Sequence, residues 1–136
     1  MTIGCSLAVR LLQAVCLMCG STSLVANSKD IRSIIIATDS PQYSGRCPVV
    51  VRFKAKVRLT RTPMTVHYFW EHAGGEMSPS DTVSLPRGMD PEFEVRDSLA
   101  VGASEGQFTI TDRLHGSTAN DSAMSETAQF TVHCTP

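Results

Sequence analysis

From Val49 to Leu59 every second residue is apolar: Val49, Val51, Phe53, Ala55, Val57 and Leu59. Between them stand Val50, Arg52, Lys54, Lys56 and Arg58. A period of two predicts a strand with one buried face and one wet face. The same grammar recurs downstream. Strands are predicted at 31–38 (IRSIIIAT), 47–59, 64–72 (MTVHYFWEH), 81–85 (DTVSL), 93–101 (FEVRDSLAV), 107–114 (QFTITDRL) and 126–134 (ETAQFTVHC). Turn-forming clusters separate them: SPQYSGR, the Gly/Pro/Ser-rich stretch 73–91, GASEG and GSTANDSAMS. No long segment after residue 27 carries the 3.6-residue period of a helix. About seven short alternating strands in one domain predict an all-β fold, an immunoglobulin-like two-sheet sandwich, with a barrel as the alternative.

The beginning of the chain breaks this pattern. Arg10 lies in a stretch without acids, an apolar run follows (LLQAVCLMCG), and small residues close it (STSLVA). That order is the one of a secretory signal, expected as a helix over 1–26 with cleavage after Ala26. A retained membrane anchor is the rival reading, but Arg10 and Gln13 leave the run short of the ~20 apolar residues a spanning helix needs. The domain organisation expected is therefore a signal peptide at 1–26 and a sandwich at 27–136, in a periplasmic or secreted protein with no span in its mature part.

The signal changes the cysteine count. Cys5, Cys16 and Cys19 would leave with it, including the C-x-x-C formed by the last two. Cys47 and Cys134 remain, and in an oxidising compartment they are expected to pair. Cys47 opens the second predicted strand and Cys134 closes the seventh. If successive strands reverse direction, both lie at the same end of the sandwich. The bridge would close a loop of 87 residues, for which chain entropy suggests about 4.5 kcal/mol.

Composition narrows the partners. The formal net charge is -1 and charged residues make up 18% of the chain, so no general attraction to nucleic acid or membrane follows. The row Arg52, Lys54, Lys56 and Arg58 has two readings. In an immunoglobulin-like order, 47–59 and 93–101 are neighbours, and Glu92 and Glu94 would partly neutralise the bases while fixing register. Bases left over would form a possible binding surface for a polyanion or an envelope surface. Nucleic acid is not expected, because no aromatic residues interleave with the bases for stacking.

Several of these pieces form a pattern: Ser44-Gly45-Arg46-Cys47-Pro48 with Val51 and Phe53, then Val66-x-Tyr68-x-Trp70, then Ala128-x-Phe130-x-x-x-Cys134. Over about 90 residues this resembles small secreted bacterial proteins with one immunoglobulin-like domain, most of them without an assigned activity. Ala55 and Leu99 stand where that pattern commonly has Gly and Trp. The resemblance implies the fold and the secreted location.

Residues with chemistry are sparse by this reading. His67 and His72 share a strand at odd spacing and point to opposite sides. His133 points to solvent. No pair of histidines has ligand spacing with acids nearby along the chain, so no metal site and no cofactor are expected. Neither a Gly-x-Ser-x-Gly elbow nor a paired-carboxylate motif is present, so no enzyme and no catalytic residues are expected. Val66, Tyr68 and Trp70 share the core face. Asp97 falls on the apolar side of its strand, between Val95 and Leu99, which suggests a β-bulge, or else a hydrogen-bond partner or a site. The reading that emerges is a non-enzymatic binding or adhesion module. Its partner would be an extracytoplasmic protein or surface polymer, met through loop residues Glu76, Met77, Arg87 and Met89. The alternative uses the basic face.

Overall fold

The structure is a computed structural model that describes residues 29–102 and 104–136. The expected signal segment, with Cys5, Cys16, Cys19 and the cleavage position, lies outside the described residues. Among the described residues no helix is long and apolar enough to cross a membrane.

Among the described residues, nine strands form two sheets. They are β1 (Ile31–Thr38), β2 (Gln42–Gly45), β3 (Val49–Leu59), β4 (Met64–His72), β5 (Asp81–Leu85), β6 (Glu92–Val101), β7 (Gly106–Ser117), β8 (Ser122–Met124) and β9 (Ala128–Cys134). One sheet has the order β1-β3-β6; the other runs β2-β9-β7-β4-β5, with β8 added to β7. The sandwich expected from the alternation is present and the barrel is not. Two strands exceed the expected seven. The turn-like QYSG pairs in parallel with β9, and part of the loop GSTANDSAMS pairs with β7 as β8. Both are short and nearly devoid of large apolar residues, so periodicity could not reveal them.

The alternation of β3 sets the core. Val51, Phe53, Ala55, Val57 and Leu59 are all at most 3% exposed. They pack against Val66 and Trp70 of β4, Leu114 of β7, and Phe130 and Val132 of β9. Each large side chain buried this way contributes roughly 1.5–3 kcal/mol. β3 and β6 are antiparallel neighbours in unbroken register from Val49↔Val101 to Arg58↔Glu92. There is thus no bulge at Asp97, contrary to the first expectation: its side chain points between the sheets opposite Phe53.

One end of the sandwich is stapled. Cys47 and Cys134 form a disulfide with a Cα separation of 5.4 Å, as the strand directions require. Gly102 lies against it at φ +91°, where a Cβ would sit 2.5 Å from Cys134 Sγ and 2.8 Å from Cys47 Sγ. Only glycine fits both the backbone angle and the space.

Candidate functional site

Three polar residues occupy inward positions on three different strands. β4 points Met64, Val66, Tyr68 and Trp70 inward, and His72 is next in that row. β7 places Asp112 between the inward residues Ile110 and Leu114. β6 places Asp97 between Val95 and Leu99. His72 and Asp112 are register partners across β4 and β7, while Asp97 comes from the opposite sheet. One donor atom from each residue can be chosen so that all three lie within 4.8 Å of one another.

Local structure fixes each side chain. The tight turn after β4 is built on Gly74 and Gly75, both at positive φ, and the His72 N–H donates to the Glu76 carbonyl at 2.7 Å. Asp97 Oδ1 accepts the Ser98 N–H at 3.0 Å. Asp112 Oδ1 accepts the Arg113 N–H at 3.1 Å. The other oxygen of each carboxylate, Oδ2, is buried without a hydrogen-bond partner, and so is Nδ1 of His72. That nitrogen lies 3.5 Å from Asp97 Oδ2 and 3.2 Å from Asp112 Oδ1. The second separation is short, yet it lacks the alignment of a hydrogen bond.

The electrostatics are those of a crowded interior. The Asp112 side chain is 0% exposed, against 16% for His72 and 18% for Asp97. Burial, followed by the facing Asp97 carboxylate, pushes the Asp112 carboxyl up to about 8. Two acids and an imidazole could hold a cation or share a proton. Reading along the chain missed this group because the acids near His72 come from other strands. A signal was available: all three residues are polar at apolar parity.

The basic face resolves differently. Arg58 Nε donates to Glu92 Oε2 at 2.7 Å, and Lys56 Nζ lies 3.3 Å from Glu92 Oε1. Glu94 turns instead to Arg96 of its own strand, at 3.0 Å. The pairing with Arg58 and Lys56 holds the Glu92 carboxyl below its usual range, with Arg58 the larger cause. Among the described residues, Arg52 and Lys54 form no salt bridge, and Lys54 stands opposite Arg96. Arg52, Lys54, Arg96, Ser98 and Asp39 line a shallow concavity there.

The four loop residues do not form one surface. β5 splits the 73–91 stretch. Met77 bridges to Glu71 at the end of β4, with Glu76 beside it. Arg87 and Met89 follow Leu85, which pairs with Met64 at the other end of the same strand. All four are exposed. Elsewhere, Phe69 stacks on His115 on the outer face of the larger sheet, with ring centroids 4.6 Å apart. His115 Nε2 lies 3.0 Å from Glu71 Oε2.

Together the two sheets and their topology define an immunoglobulin-like β-sandwich domain. Its fold matches the crystal structure of the CARDB domain of the PF1109 protein from Pyrococcus furiosus, solved in complex with di-metal ions. The match has a TM-score of 0.53 and 12% identity, and covers 76% of this chain and 93% of that one. No family model matches the sequence, and no curated protein matches it.

Proposed function

We propose that this chain is an extracytoplasmic, non-enzymatic binding module whose contact surface is the outer face of β3 and β6 around Arg52 and Lys54. One observation carries the reading. Glu92 and Glu94 pair with Lys56, Arg58 and Arg96, but Arg52 and Lys54 stay in solvent without a salt bridge among the described residues. A row of bases that served only solubility and register would not require this uneven pairing. Val50, 51% exposed on the same face, adds an apolar contact. The partner this suits is an anionic surface polymer or an acidic protein surface. The signal-like leader and the disulfide support the location.

The second reading uses the loop ends. Met77 and Met89 are 58% and 52% exposed, and exposed methionines make adaptable contacts. Retention of the exported protein on immobilised dextran sulfate separates the two. Binding through the basic face should fall steeply between 50 and 300 mM NaCl as charges are screened. It should be abolished by Arg52→Glu with Lys54→Glu. Absence of retention, or retention unchanged by that double variant, would reject the basic face.

A further inference from the structure

We infer that His72, Asp97 and Asp112 form a site for one divalent first-row transition ion, with Zn²⁺ as the natural probe, clasping the two sheets together.

Three observations carry this. The first is distance. Zinc bonds of about 2.0–2.1 Å to imidazole nitrogen and carboxylate oxygen put tetrahedral donor atoms about 3.3 Å apart. His72 Nδ1 lies 3.5 Å from Asp97 Oδ2 and 3.2 Å from Asp112 Oδ1, which bracket that value. The second is the state of the donors. Asp112 is buried, and its Oδ2, the Oδ2 of Asp97 and the Nδ1 of His72 all lack hydrogen-bond partners. Leaving such atoms unsatisfied in a protein interior is costly. The third is charge. Asp97 and Asp112 face each other, and a divalent ion between them would neutralise both carboxylates.

Donor chemistry selects the ion. The imidazole nitrogen favours zinc and its neighbours over hard cations, and zinc also accepts carboxylate oxygen. Calcium takes 6–8 oxygen ligands, and magnesium keeps an octahedral, largely hydrated shell. Backbone N–H groups of Ser98 and Arg113 already hold the two carboxylates in place. The side chains of His72 and Asp97 form the partly exposed rim of the group, while the three facing atoms are buried. Asp97 belongs to one sheet and His72 and Asp112 to the other, so the ion would bridge the sandwich.

The test uses the full chain, expressed for export and treated with EDTA. Adding Zn²⁺ in excess should yield one ion per chain and raise Tm by about 10 °C. Co²⁺ should give the visible absorption of a tetrahedral nitrogen/oxygen site. His72→Gln and Asp97→Asn, both at the rim, should weaken binding at least 100-fold. His67→Gln and His133→Gln should bind as the parent does. Asp112→Asn should also lose the ion, and the two rim variants keep the test decisive if it fails to fold. A parent chain that retains no Zn²⁺ and shows no Tm response would overturn the proposal, leaving the acids as a proton-sharing pair. So would undiminished binding by His72→Gln and Asp97→Asn, or an equal response to Ca²⁺ or Mg²⁺.

Discussion

Strand β6 carries charge on both faces, and the two faces treat it oppositely. Outside, Glu92, Glu94 and Arg96 meet partners across or along the strand in water, where such pairs contribute little to stability. Inside, one residue further on, Asp97 meets another acid and a histidine with too few hydrogen bonds. The outer pairs made by Glu92 and Glu94 follow from register and solvation. The inner one has no such explanation, because an apolar residue at Asp97 or Asp112 would satisfy the core better. Charge that the fold does not need is where function is to be sought.

The largest effect is expected from moving a charge into the core. Val57 is 0% exposed in the inward row of β3. Val57→Asp, with no histidine or second acid waiting for it, should cost more than about 4 kcal/mol and abolish folding, as read by export yield and urea denaturation. If that variant folds well, interior carboxylates are cheap in this domain and Asp97 and Asp112 lose their significance.

Next in size is a pH effect confined to the interior. The Asp112 carboxyl is raised in the folded state from 3.8 to about 8, so the folded protein holds this proton more tightly than the unfolded chain. Its contribution is fully present below about pH 3.8 and is lost as pH rises through about 8. In EDTA, the urea midpoint should therefore fall between pH 6 and pH 9. Asp112→Asn should flatten the decline.

The outer face should respond far less. Glu92→Gln releases both Lys56 and Arg58, yet the expected loss is no more than about 2 °C in Tm, vanishing in 0.5 M NaCl. Smallest is Lys54→Glu. It replaces a like-charge neighbour of Arg96 by an opposite one, so stability should hold or rise by a few tenths of a kcal/mol. Binding to an anionic matrix should weaken all the same. A variant that improves the fold and impairs binding would separate the two roles of the basic row.

These contrasts also explain what the sequence disclosed. β3 was legible because its eleven residues alternate with one exception, the outward Val50. β6 was legible apart from its one discordant residue. The Cys47–Cys134 pairing was expected once the signal reading set Cys5, Cys16 and Cys19 aside, and strand direction put both residues at one end. β2 and β8 were hidden, since four and three residues of mostly small or polar type carry no period. The interior cluster was hidden for another reason. Its residues lie 25 and 15 positions apart along the chain and meet through the register of β4 with β7 and the stacking of two sheets. Asp97 alone stood out, and a bulge was the simpler local account. His72 and Asp112 each break an apolar row too, and the three exceptions acquire meaning only together.

The disulfide has a mechanical consequence. It encloses 87 residues, from the start of β3 to the end of β9. Tension applied before Cys47 and after Cys134 passes through the two sulfurs and leaves that segment unloaded. At about 3.5 Å per extended residue, roughly 300 Å of contour is withheld. Under load, the oxidised domain can yield only its first two strands and then behaves as a nearly inextensible link. Reduction would turn the same chain into a long compliant tether.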